Sequence, residues 1–138
     1  MMKALLGAAA LASACLVMAA AARADGDAVE GKSVFKKCLP CHRIGPGAKT
    51  LVGPELNGVV GRKAASIEGY AYSKAMRNSG LTFDEATLTQ YLKGPRAMVP
   101  ATYMSFPGLK SDTDIANVIA YLKTFNADGS PAAPAPAP

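Results

Sequence analysis

Apolar residues along this chain fall into short helical stripes separated by stretches with no period. Val29, Val34 and Phe35 interleave with Glu30, Lys32, Lys36 and Lys37, which predicts an amphipathic helix over Asp27–Lys37. Gly31 sits inside it at a cost of about 1 kcal/mol against alanine, a cost that makes sense where a second helix crosses very closely. Residues 43–63 are rich in Gly and Pro and read as loop. Ser73 to Ser79 forms a short helix stopped by Gly80. Thr82-x-x-Glu85 has the form of a capping box and opens a helix carrying Leu88, Tyr91 and Leu92, which Gly94-Pro95 ends. Pro95, Pro100, Pro107 and Gly108 make 95–110 an extended loop. Ser111-x-x-Asp114 then opens a last helix to about Phe125, with Ile115, Val118, Ile119 and Leu122 on one face. No stretch alternates as a strand does. The fold class is all-α: four to five short helices joined by long loops.

The ends of the chain have a different composition. Lys3, the small apolar run Ala4–Ala22 and the site Ala22-Arg23-Ala24 together predict a secretory signal peptide over residues 1–24, with the mature chain starting at Asp25. The run is alanine-dominated and about 19 residues long, at the margin for spanning a bilayer, so no membrane anchor is expected. Lipidation at Cys15 fits less well than the A-x-A site. Residues 25–126 then form one small domain. Residues 127–138, with four prolines in the last eight positions, favour extended polyproline geometry and predict a disordered Pro/Ala-rich tail.

The net charge of +5 falls once Lys3 and Arg23 leave: 13 basic residues then face 10 acidic ones. So mild an excess argues against nucleic acid, which requires a concentrated basic patch. It suits weak docking on acidic protein surfaces.

The chemistry is concentrated in Cys38-Leu39-Pro40-Cys41-His42, the pattern of a c-type haem attachment site. Two thiols three positions apart can each form a thioether to one porphyrin edge, and the adjacent imidazole then meets one face of the iron. A zinc site needs more ligands than Cys38, Cys41 and the only histidine provide. A thioredoxin-like pair expects a βαβ setting that these flanks lack. Because His42 fills only one axial position, any second ligand must come from elsewhere. Met76 sits in a short helix and reads as core packing. Met98 and Met104 both lie in the proline-rich loop, where Pro100 and Pro107 flank Met104 and stiffen its setting. Met104 is the favoured ligand; Met98, a lysine or an open position are the alternatives. His/Met ligation raises the reduction potential, and a filled sixth position leaves no vacancy for oxygen or peroxide.

In order along the chain stand Gly31-x-x-x-Phe35, Cys38-x-x-Cys41-His42, Gly53-Pro54, Gly61-Arg62, Tyr91-Leu92, Pro95, Pro100-x-x-x-Met104 and Ile119-Ala120-Tyr121-Leu122. With this set, residues 26–125 resemble the class I c-type cytochromes, close to mitochondrial cytochrome c and the short soluble cytochromes c of alphaproteobacteria. The resemblance implies terminal helices that cross at Gly31, Phe35, Val118 and Tyr121, around one covalent haem c held by Cys38 and Cys41. It implies His42 and Met104 as iron ligands, with the Pro54 carbonyl bonded to the His42 ring. Arg62 and Tyr72 would contact a haem propionate, and Tyr91 would lie near the Met104 sulfur.

Four positions depart from the family pattern. Phe83 stands where a tryptophan usually bonds a propionate, and Met76 where an asparagine is common. Tyr103 and Ala97 replace lysines often found around the haem edge, leaving Lys36, Lys37, Lys49, Arg96 and Lys110 as a thinner basic rim.

The implied function is that of a monomeric periplasmic single-electron carrier, not an enzyme. Its partners would be membrane or periplasmic redox proteins: a cytochrome bc complex, a terminal oxidase, a reaction centre or a dehydrogenase. The competing readings are a haem subunit of a larger dehydrogenase or oxidase, and a small ligand-binding or peroxidase-like haem protein.

Overall fold

The computed structural model describes residues 25–134. The expected signal peptide and the last four residues lie outside the described residues. Among the described residues there are five helices: α1 (Ala28–Phe35), α2 (Lys74–Arg77), α3 (Glu85–Lys93), α4 (Pro95–Met98) and α5 (Asp112–Leu122). The fold is all-α with long loops. It also contains one ladder that the sequence pattern did not predict, β1 (Arg62–Lys63) antiparallel to β2 (Thr82–Phe83).

α1 starts one residue later than its apolar stripe suggests, because Asp27 is its N-cap and accepts from the N–H groups of Val29 and Glu30. Its largest interface is with α5. A Cβ on Gly31 would stand 1.9 Å from the Asn117 carbonyl oxygen, so only glycine permits this approach. The Phe35 and Tyr121 rings pack 5.4 Å apart across the same junction. Asp27 N–H also donates to Asn117 Oδ1 at 2.8 Å, joining the two ends of the domain. Val34, Phe35, Leu88, Leu92, Ile115, Val118, Ile119 and Leu122 are all buried here, each such side chain contributing about 1.5–3 kcal/mol.

Two sequence expectations are corrected. The capping box at Thr82 does not form: Thr82 pairs with Lys63 in the ladder, and Asp84 caps α3 by accepting from Thr87 N–H at 2.7 Å. Pro95 does not open an extended loop. It occupies the first turn of α4, where its missing N–H costs nothing. Past residue 126 the described chain makes further backbone contacts. Asn126 N–H donates to the Ser130 carbonyl, Phe125 bridges to Pro131, and Ala132 N–H donates to the Thr124 carbonyl. The resulting turn buries Gly129 against Gly45 and Asn57.

Candidate functional site

A cavity of about 350 Å³ opens among the loops and is walled by α1, α3 and α5. Cys38, Cys41, His42, Pro54, Arg62, Tyr72, Tyr91 and Met104 all line it. Eight side chains from separate parts of the sequence are thus gathered around one space. Tyr70, Ser73, Met76 and Phe83 line it as well.

The turn after α1 places the first three. Cys41 and His42 N–H groups both donate to the Cys38 carbonyl, so the pentapeptide continues as a tight turn rather than as a helix. Burial pushes the Cys38 thiol up to about 11, with Cys41 adding to the shift and Lys37 opposing it. Such a thiol stays protonated at neutral pH, unlike the thiolate of a dithiol redox enzyme. His42 is buried and its Nδ1 lies 2.7 Å from the Pro54 carbonyl oxygen. A carbonyl only accepts, so Nδ1 carries the proton and Nε2 keeps its lone pair. Burial lowers the His42 pKa, against a rise from the Pro54 bond, which favours the neutral ring. A Cβ on Gly53 would lie 2.4 Å from His42 Cε1, so this glycine leaves room for the imidazole.

Met104 is held by a different set of contacts. Its Sδ accepts from Tyr91 Oη at 3.3 Å, and its N–H donates to Thr102 Oγ1 at 3.3 Å. Burial raises the Tyr91 pKa, and a side-chain hydrogen bond from Thr102 works against it. The phenol therefore keeps the proton it donates. Met98 is not on the cavity wall; it borders a surface hollow with Gln90, Lys93 and Gly94. Met76 does reach the wall while also packing with Tyr91 and Val99, so its expected core role is incomplete.

The ladder positions Arg62. Its register sets Arg62 opposite Phe83, and both side chains line the cavity. Arg62 donates to the carbonyls of Asn57 and Glu55 at 2.9 and 3.0 Å. Tyr72 Oη accepts from Ile67 N–H at 3.1 Å, and its ring meets Tyr70 edge-on at 4.7 Å. Tyr70 in turn donates to the Val52 carbonyl at 2.8 Å.

Sequence reasoning missed Tyr70, Thr102, Ser73 and Glu55. Ser73 was readable, since a serine before a short helix is a standard cap, and here it accepts from Met76 N–H at 3.0 Å. The other three lie in loops, where no period marks Tyr70 and Thr102 as wall residues or Glu55 as a neighbour of Arg62.

The donor set of two thiols, an imidazole and a thioether on one mostly apolar cavity is that of a c-type haem site rather than a zinc site. Among the described residues, no group of three or more His, Cys, Asp or Glu gathers to hold a metal. The cavity and the space left by Gly53 for the imidazole fit the same group.

The cytochrome c family model matches residues 28–126. The chain is 57% identical over 105 residues to cytochrome c2 of Rhodoblastus acidophilus, covering 76% of this chain and 98% of that one. It is 53% identical over 113 residues to cytochrome c-554 of Methylosinus trichosporium, covering 82% and 86%. Among solved structures, cytochrome c2 from Rhodospirillum centenum aligns with a TM-score of 0.70 at 36% identity, over 73% of this chain and 99% of that one. Cytochrome cH from Methylobacterium extorquens aligns with a TM-score of 0.67 at 46% identity, over 72% and 99%.

The chain belongs to the cytochrome c family, in the class I c-type group. Its cofactor is a covalently bound haem c with iron, and its work is electron carriage.

Proposed function

We propose that this chain is a periplasmic single-electron carrier in which Cys38 and Cys41 hold the haem and His42 and Met104 ligate its iron. The observation that carries this reading is the paired seating of the two donors on one cavity. His42 is oriented through Nδ1 by the Pro54 carbonyl, at 2.7 Å. Met104 is oriented through Sδ by the Tyr91 phenol, at 3.3 Å. When bound, the haem supplies the one-electron chemistry that no side chain provides. The protein's part is to orient and to exclude water. Pro54 fixes the His42 tautomer and increases the ring's donor strength. Tyr91 and Thr102 keep the thioether in place. Phe35, Val59, Leu88, Leu92 and Val118 give the cavity apolar walls. Arg62 and Tyr72 supply donors suited to a propionate.

Exchange with membrane or periplasmic redox partners fits a surface made for weak docking. Lys37 is engaged by Asp114 at 3.5 Å, which thins the basic rim further. Lys36, Lys49, Arg96 and Lys110 remain exposed. Val52 and Tyr103, each 71% exposed, add an apolar part to the cavity rim. Such encounters are brief and small in area, and their rate falls as salt rises. The partners of this reading are a cytochrome bc complex, a terminal oxidase, a reaction centre or a dehydrogenase.

Carbon monoxide tests the reading. The native ferrous protein is expected to ignore the gas, and a Met104→Ala protein to bind it. Equal binding by both overturns the closed-iron carrier and favours ligand-binding or peroxidase chemistry.

A further inference from the structure

Three charged side chains line the cavity: Lys37, Lys63 and Arg62. Both lysines are exposed, whereas the Arg62 side chain is only 15% exposed. Arg62 is bound by more than backbone. Glu55, itself 17% exposed, places Oε1 3.7 Å from its Nη1. The other carboxylate oxygen accepts from Asn57 N–H at 2.5 Å, so the carboxylate is tied into the same turn whose two carbonyls hold the guanidinium. Burial lowers the Arg62 pKa, and the Glu55 charge works in the opposite direction. Glu55 is not itself among the wall residues. It stands behind the arginine, fixing its direction and offsetting its charge in a poorly solvated place, where such an interaction is weakly screened.

We propose that Glu55 is a positioning residue that, through Arg62, holds the reduction potential of this cytochrome down. The inference rests on the reading that the cavity takes haem c with Arg62 beside it. The oxidised protein carries one more positive charge in the cavity than the reduced protein. A cation on the wall disfavours that state and raises the potential. A carboxylate that offsets the cation favours the oxidised state and lowers the potential. The departure at Phe83 sharpens this role: phenylalanine has no N–H, so the donors left to that corner of the wall include Arg62 and Tyr72, and Arg62 alone of these carries charge.

The experiment is a redox titration of the haem-loaded protein and three variants. Glu55→Gln keeps shape and an acceptor for Asn57 N–H but removes the charge, and its midpoint is expected to shift upward. The shift should persist at high salt, because the pair is mostly buried. Glu55→Asp keeps the charge and is expected to stay nearer the native value. Arg62→Gln is expected to shift downward. If the glutamine protein does not fold, Glu55→Ser takes its place with the same upward expectation. Equal shifts in Glu55→Gln and Glu55→Asp indicate a packing effect and overturn the proposal. A downward Arg62→Gln shift with no upward Glu55→Gln shift overturns the role of Glu55 alone. No shift in either overturns the placement of Arg62 beside the haem, and the proposal with it.

Discussion

The phenol of Tyr91 donates to the sulfur of Met104 across 3.3 Å, joining α3 to the loop that follows α4. Thirteen residues separate the two in sequence. Replacing Tyr91 by Phe keeps the ring against Phe83 and removes the donor. A net hydrogen bond contributes about 1 kcal/mol. The Tyr91→Phe protein should therefore release Met104 more readily, and imidazole should bind its ferric form about fivefold more tightly. An imidazole titration followed by absorbance checks this; unchanged affinity would show that the bond does not restrain the sulfur.

Alkaline stability follows from the same phenol. Burial raises the Tyr91 pKa in the folded protein above its ordinary value near 10. The folded state then holds a proton that the unfolded chain gives up. This contribution is complete below about pH 10 and is lost as pH rises through the folded value. Denaturant unfolding should show the native protein losing stability above that pH, and Tyr91→Phe losing less. Tyr70 and Tyr121 are raised by burial too, so part of the slope should remain.

Met76 lines the cavity and offers it no polar group, at the position where the family resemblance implies an asparagine. An amide there would favour the extra positive charge of the oxidised protein. Met76→Asn should lower the midpoint potential by about 40 mV, the one-electron equivalent of about 1 kcal/mol. Potentiometric titration decides it, and a rise would sink the account.

Parts of this fold were legible in the residue pattern, and the reasons differ from place to place. The apolar faces of α1 and α5 obey a helical period, and Gly31 announced a close crossing. Cys38, Cys41 and His42 fall within one pentapeptide, so their chemistry could be read without knowing the fold. The start of α3 was misplaced because Thr82 satisfies the capping pattern locally, yet a ladder partner 19 positions earlier claims it. Pro95 was read only as a stop, although the same residue suits a first helical turn. Glu55 carried no signal at all, since an ion pair between loop positions has neither period nor motif. The contacts beyond residue 126 were hidden because Gly129 is buried against Gly45 and Asn57 by a tertiary approach that composition does not encode.

That contact is open to test. Gly129 has a φ of +81°, and a Cβ there would stand 2.4 Å from the Gly45 carbonyl oxygen. Gly129→Ala should therefore destabilise the haem-loaded protein by about 1–3 kcal/mol, or detach the turn from its seat. Thermal unfolding checks the first outcome. A melting temperature equal to the native one, with the turn cut by protease as readily in the native protein as in the variant, would show that the contact is not made in solution.

The hydrogen bond from Asp27 to Asn117 spans 90 positions. It belongs to an interface between the first and last helices, so α1 has its main apolar partner only after most of the chain exists. Closing so long a loop is slow relative to forming local turns. The pentapeptide from Cys38 to His42 therefore leaves the ribosome well before the helix that completes its wall. Until α5 docks on α1 that wall is open and both thiols are reachable; its docking closes the wall around them.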